Sequence, residues 1–145
     1  MAAAVQTAIA PWLVRLMTVA AYTGHRAGPE DREAIALANR LRAWTLGGRL
    51  QAVWWHTASE VGGGGKNAGL RYALAKAMGL IPGSPDYVFL TDAGAYALEL
   101  KATKGRQSDS QRDFQAWCAA RGIPYAVCKG ADAAEAQLRA WGLVA

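Results

Sequence analysis

Hydrophobic and polar positions change period several times along this chain, and each change marks an element. Pro29 and the acidic pair Glu30-Asp31 open a stretch in which Ile35, Leu37, Leu41 and Trp44 supply an apolar side before Gly47-Gly48 stops it. That is a helix whose acidic first turn complements its dipole. Residues 51–57 read as a strand, and residues 67–78 as a helix ended by Gly79. Tyr87-Val88-Phe89-Leu90 is rich in aromatic and β-branched types, Asp92-Ala93-Gly94 is a turn signal, and residues 95–101 are again extended and apolar. This predicts a hairpin. Ser108 with Gln111 forms a capping box for a helix over 109–121 that Gly122 ends. Residues 125–128 are a short strand, and Asp132 with Glu135 predicts the cap of a last helix running to Trp141. Helix, strand, helix, hairpin, helix, strand, helix describes an α/β sandwich around a mixed sheet.

The first 24 residues follow a different pattern. They carry a single charge, Arg15, and place Ile9, Trp12, Leu13, Leu16, Met17 and Ala20 at roughly helical spacing from Pro11 onward. Pro11 and Arg15 interrupt the apolar run well short of the about 20 residues that a bilayer requires. No basic start precedes it, so a signal peptide fits less well still. The expectation is an extra helix packed on the domain or across a dimer interface, with residues 1–28 as N-terminal helix and linker and residues 29–145 as the domain proper. No membrane association is expected.

The hairpin holds the chemistry. If Leu90 lies opposite Ala95, Asp86 falls opposite Glu99 or one step diagonal to it, within the roughly 5 to 8 Å over which cross-strand neighbours meet. Alternation then puts Glu99 and Lys101 on one face, with Leu98 and Leu100 on the other. Two carboxylates at that separation suit Mg²⁺, which takes oxygen ligands and completes its shell with water and substrate phosphate. A neighbouring ammonium can orient an attacking water or neutralise a developing oxyanion. Glu-x-Lys and Pro-Asp also occur as solvated surface pairs and turns. Their spacing around one hairpin is what singles these out.

Composition agrees with a nucleic-acid enzyme without requiring one. The 145 residues suit one domain, and a net charge of +5 with a pI near 9.5 favours a polyanionic partner. Cys118 and Cys128 form no Cys-x-x-Cys motif, which argues against structural zinc and for small buried hydrophobes in a reducing cytosol. Gly62-Gly63-Gly64-Gly65-Lys66 is not a phosphate-binding P-loop, because Glu60 stands where its first glycine belongs and Asn67 follows the lysine. The glycines read as a mobile loop, and Lys66 and Arg71 as DNA phosphate contacts or part of a flexible connection. Trp54 and Trp55 point to opposite faces of their strand, so at most one faces outward. His56 reads as structural or solvent-facing, and Glu60 as a further acid.

Gly83-Ser84-Pro85-Asp86, the strand Tyr96-Ala97-Leu98-Glu99-Leu100-Lys101, and Lys104-Gly105-Arg106-Gln107-Ser108-Asp109-Ser110-Gln111 together resemble the VRR-NUC (virus-type replication-repair nuclease) branch of the PD-(D/E)xK nuclease superfamily. The similarity spans about residues 29–144 and includes the Gly-Ile-Pro-Tyr-Ala-Val strand after the Ser-x-x-Gln helix start. It implies a restriction-endonuclease-like core, a mixed β-sheet flanked by helices. It also implies Mg²⁺- or Mn²⁺-dependent hydrolysis of phosphodiester bonds. Asp86, Glu99 and the Leu100 backbone carbonyl would hold the metal, and Lys101 would be the catalytic lysine. An acidic residue on the first helix of the domain is implied as well, Glu30 or, failing that, Glu33. Gln111 would support the lysine or a water, although the capping box explains it equally. Lys104 and Arg106 would contact the DNA backbone. The resemblance favours branched or flapped DNA in phage or bacterial replication and repair, which, with the cysteines expected to be reduced, implies the cytoplasm. A single small domain has little surface to embrace a junction, so a homodimer supplying two active sites is expected. A non-catalytic nucleic-acid-binding module on the same fold and a ribonuclease are the alternatives.

Overall fold

The structure is a computed structural model and describes residues 8–20, 22, 26–57 and 65–145. Its elements are α1 (Pro11–Met17), α2 (Pro29–Leu46), β1 (Val53–His56), α3 (Ala68–Ala77), β2 (Tyr87–Thr91), β3 (Gly94–Lys101), α4 (Asp109–Ala120), β4 (Tyr125–Lys129) and α5 (Ala131–Ala140). The strands form one mixed sheet in the order β1-β2-β3-β4, with β1, β2 and β3 antiparallel and β4 parallel to β3. The expected α/β architecture is therefore observed. Glu60 and Gly62-Gly63-Gly64 of the glycine-rich stretch, and His25 of the linker, lie outside the described residues.

The sheet has two unlike sides because side chains alternate along β2 and β3. On one side Tyr87, Phe89, Leu98 and Leu100 meet Leu37 and Leu41 of α2 and Ala134 and Leu138 of α5, all buried. This is the core. Leu143 and Val144 close it from the C-terminus, where Val144 bridges to Leu50. On the other side lie Asp86, Ala97, Glu99 and Lys101, with α4 packed against β4 and reaching Glu99 of β3 through Gln111. β2 and β3 pair Leu90 with Ala95 and Tyr87 with Leu98, the register anticipated from the turn. Continued by one residue, it sets Asp86 against Glu99.

Local chemistry sets the starts of α2 and α4, but not that of α5. Pro29 opens α2, and the Asp31 carboxylate accepts from the Gly28 amide at 3.3 Å. Ser108 and Gln111 cap α4 reciprocally. The expected cap of α5 by Asp132 and Glu135 is corrected: α5 begins at Ala131, and both acids pair with Arg40 of α2, at 2.7 and 2.9 Å. Its first amide, on Ala131, donates instead to Glu33 Oε2 at 2.7 Å. A long-range carboxylate thus replaces the local one at the helix's positive end.

Ile35, expected on the apolar side of α2 with Leu37, Leu41 and Trp44, is exposed at its flank. Both cysteines are free and buried. Trp54 is half-buried, with its indole N–H donating to Thr45 Oγ1 at 3.0 Å, while Trp55 faces outward. α1 touches α2 but buries none of its residues, and α3 buries none either. Among the described residues no helix is long and apolar enough to cross a membrane.

Candidate active site

β3 carries the site, and the chain around it is shaped to reach it. Gly83 adopts φ +85°, and a Cβ there would overlap the Ser110 carbonyl and stand 2.7 Å from the Gln111 amide. Only glycine lets the Gly83-Ser84-Pro85-Asp86 segment lie this close to the first turn of α4. Asp86, just before β2, is held from both sides. Its Oδ2 accepts from the Leu100 amide at 2.7 Å, and its backbone carbonyl accepts from the Thr57 amide at 2.7 Å. Within a strand the N–H and C=O of one residue leave on the same edge. The Leu100 carbonyl therefore points to the Asp86 side of β3.

Glu99 is fully buried. Its Oε1 lies 3.1 Å from Lys101 Nζ and accepts from the Gln111 side-chain amide. Its Oε2 is also buried and finds no hydrogen-bond partner among the described residues. Glu30, in the first turn of α2, stands 3.8 Å from Lys101 Nζ. Asp86, Glu99, Lys101, Gln111 and Glu30 thus gather at one end of the sheet. Glu33 is committed to the start of α5, which leaves Glu30 as the helix acid that reaches the group.

Gln111 combines both sequence readings. Its Oε1 accepts from the Ser108 amide at 2.8 Å while its amide nitrogen holds Glu99. One side chain caps the helix and ties it to the carboxylate.

Two acids packed together and withdrawn from water resist ionisation. Burial pushes the Glu99 carboxyl up to about 7, and the Asp86 charge adds to this, while Lys101 pulls the other way. Asp86 is also raised, chiefly by burial and further by Glu30; the Leu100 amide, His56 and Lys101 oppose the rise. Such a pair is stabilised by positive charge beyond what Lys101 provides. Among the described residues no group of three or more His, Cys, Asp or Glu is placed to hold a metal. Asp86, Glu99 and the Leu100 carbonyl would offer two carboxylates and a carbonyl, oxygen donors of the kind that Mg²⁺ takes alongside water and phosphate.

The basic residues fall into two groups. Lys104 and Arg106 are exposed on the loop that leaves the end of β3 at Lys101. Lys66 and Arg71 are exposed on a separate shallow depression beside α3, with Leu70 and Leu74, and make no contact with the acidic group. Lys129 escaped notice in the sequence. The parallel pairing sets it beside Lys101, and its Nζ donates to the Gly105 carbonyl, which holds the Lys104–Arg106 loop to the sheet. Tyr125 was also missed: it shares the Glu99 side of β4, and its buried hydroxyl has no partner among the described residues. Both signals depend on the β3–β4 pairing, which no local pattern in the chain announces.

A family model described as the VRR-NUC domain matches residues 32–132. That span includes Asp86, Glu99, Lys101 and Gln111 and begins just after Glu30. Among solved structures, a VRR_NUC domain protein superposes with a TM-score of 0.57 at 16% identity, over 83% of this chain and 93% of its own. It shares the restriction-endonuclease-like fold. No curated protein matches. Since the matched span covers most of the chain, from the first turn of α2 through every strand to the start of α5, this protein belongs to the VRR-NUC family, and so to a family of nuclease-type function.

Proposed function

We propose that the protein is a divalent-metal-dependent DNA endonuclease that hydrolyses phosphodiester bonds. The observation that carries this reading is the free Oε2 of fully buried Glu99, set beside Asp86. A buried carboxylate oxygen without a partner costs stability unless a cation meets it. Asp86, Glu99 and the Leu100 carbonyl would hold Mg²⁺ or Mn²⁺. When bound, the metal supplies a water of lowered pKa and neutralises charge at phosphorus.

The chain's own groups divide the remaining work. Lys101 orients the attacking water and meets the developing oxyanion, kept in place by Glu99 and Glu30 at 3.1 and 3.8 Å. Gln111 fixes Oε1 of Glu99 and so leaves Oε2 for the metal. Lys104 and Arg106 take the phosphate backbone where it leaves the site, and Lys66 and Arg71 contact it farther along. A homodimer would present two such sites to branched or flapped DNA, the substrate class favoured by the resemblance, in replication or repair in a bacterial or phage-infected cytoplasm.

The test is cleavage of labelled linear, nicked, flapped and four-way-junction DNA in Mg²⁺, Mn²⁺ or EDTA, with Lys101→Ala alongside. Cutting that needs metal and vanishes in the variant is expected. Binding without cutting under every condition would reduce the protein to a nucleic-acid-binding module.

A further inference from the structure

On the core side of the sheet, at the end nearest the carboxylates, lies a cavity of about 550 Å³. It runs along the flank of α2, from Asp31 to Arg42, with β1 and Tyr87 as its floor and Val19, Ala20 and Tyr22, after α1, as its other wall. The side chains of Tyr87 and Asp86 leave the sheet on opposite faces, so the link to the site runs around the sheet's end, where the His56 charge is felt at Asp86 and Asp31 follows Glu30 in the first turn of α2. His56 belongs to the same end, since the next residue, Thr57, donates its amide to the Asp86 carbonyl at 2.7 Å.

The lining chemistry selects an occupant. The floor is aromatic and fixed: the Tyr87 hydroxyl donates to the Ala34 carbonyl at 3.0 Å, the His56 ring lies 5.0 Å from the Tyr87 ring, and Trp54 is held by Thr45. At the far end Arg42 donates to Asn39 Oδ1 at 3.1 Å, leaving the Asn39 amide and the rest of the guanidinium open to the cavity. A phosphate would meet one cation and the Asp31 carboxylate. With Tyr87 buried below, a flat, polar-edged ring would meet half-buried Trp54, exposed His56 and Tyr22, and a small set of donors, the combination by which unstacked bases are held. The volume also falls within the roughly 300–1,000 Å³ typical of ligand pockets, ample for one nucleotide.

We propose that this cavity receives the base of an unpaired nucleotide adjoining the phosphate that is cut. The proposal rests on the nuclease reading for its substrate. It adds that the enzyme prefers DNA able to release one base from the stack beside the cut, and that α2, through Ala38, Asn39 and Arg42, decides this preference.

The test uses the full chain and oligonucleotides in which an abasic residue replaces each nucleotide in turn around the cut. At one flanking position the loss of the base should slow cleavage by about 10-fold, in line with the removal of one aromatic stacking contact. Ala38→Trp, which fills the cavity from a half-buried helix position, should cut base-bearing and abasic strands at the same rate. Equal cleavage of every abasic strand by the wild type overturns the proposal, with no variant needed. A second readout is independent of catalysis: 2-aminopurine at each position, bound in EDTA, should change its fluorescence at one position only and lose that response in Ala38→Trp. A position-specific response without cutting in any metal would keep the pocket and remove the nuclease. Cutting without such a response would do the reverse.

Discussion

Leu98 and Leu100 leave β3 on one side, Glu99 and Lys101 on the other, and all four are buried. On the α2 side, burial withdraws hydrocarbon from water and stabilises the fold by about 1.5–3 kcal/mol for each large side chain. On the α4 side it strips water from a carboxylate and an ammonium, and their contact with each other and with Gln111 offsets only part of that penalty. The same strand is core on one face and proposed reactive site on the other. Depth of burial therefore does not separate structural from functional residues here; the chemistry of what is buried does.

The sharpest separation should come from Lys101→Ala. DNA cleavage should fall by about 10³-fold or more, as when a group meeting transition-state charge is lost, while circular dichroism shows a cooperatively folded protein. Retained cleavage would take the ammonium out of the reaction. Three positions away in the strand, on the opposite face, Leu98→Ala should do the converse. It should lose about 2–5 kcal/mol in urea unfolding and on the order of 10 °C in thermal midpoint, with cleavage per folded molecule nearly unchanged. A large activity loss in the folded variant would mean that the two faces are not separable.

Gly83→Ala tests the join between the two carriers of the site. The strain and the overlap with the Ser110 carbonyl should cost on the order of 1–3 kcal/mol. Cleavage should fall too, because Asp86 and Gln111 are pushed apart. Normal activity in a destabilised protein would show that the close approach serves stability alone.

The smallest effect is the pH dependence of the metal-free protein. Folding raises the Glu99 carboxyl from its ordinary 4.5 to about 7. Between these values the folded state binds a proton that the unfolded state releases, so the contribution of Glu99 to stability is fully present on the acid side and is lost as pH rises through about 7. Asp86, raised in the same direction, adds to the slope. Thermal midpoints in EDTA should fall by on the order of 5 °C between about pH 5 and about pH 8, and Glu99→Gln should flatten the profile. An equally steep profile in that variant would assign the slope elsewhere.

Much of this was legible in the chain because it depends on neighbours in sequence. The Asp92-Ala93-Gly94 turn sets the hairpin register, and the register sets Asp86 against Glu99. Ser108 and Gln111 announce their capping box four residues at a time. The same local logic failed at α5. Asp132 and Glu135 have capping spacing, yet Arg40 of another helix takes both, and Glu33 supplies the cap from far away in sequence. Spacing alone could not weigh a distant guanidinium against a local amide.

The sequence by itself determined the elements, the hairpin, its carboxylates and lysine, and the resemblance that the family match bears out, since each follows from chain periodicity or contiguous motif. Only the tertiary structure brought Glu30 rather than Glu33 to Lys101, laid Lys129 beside Lys101, left one oxygen of Glu99 without a partner and opened a cavity along α2. These depend on which distant segments pack together. Packing is settled by the summed burial of the whole core, a quantity that no local stretch of sequence contains.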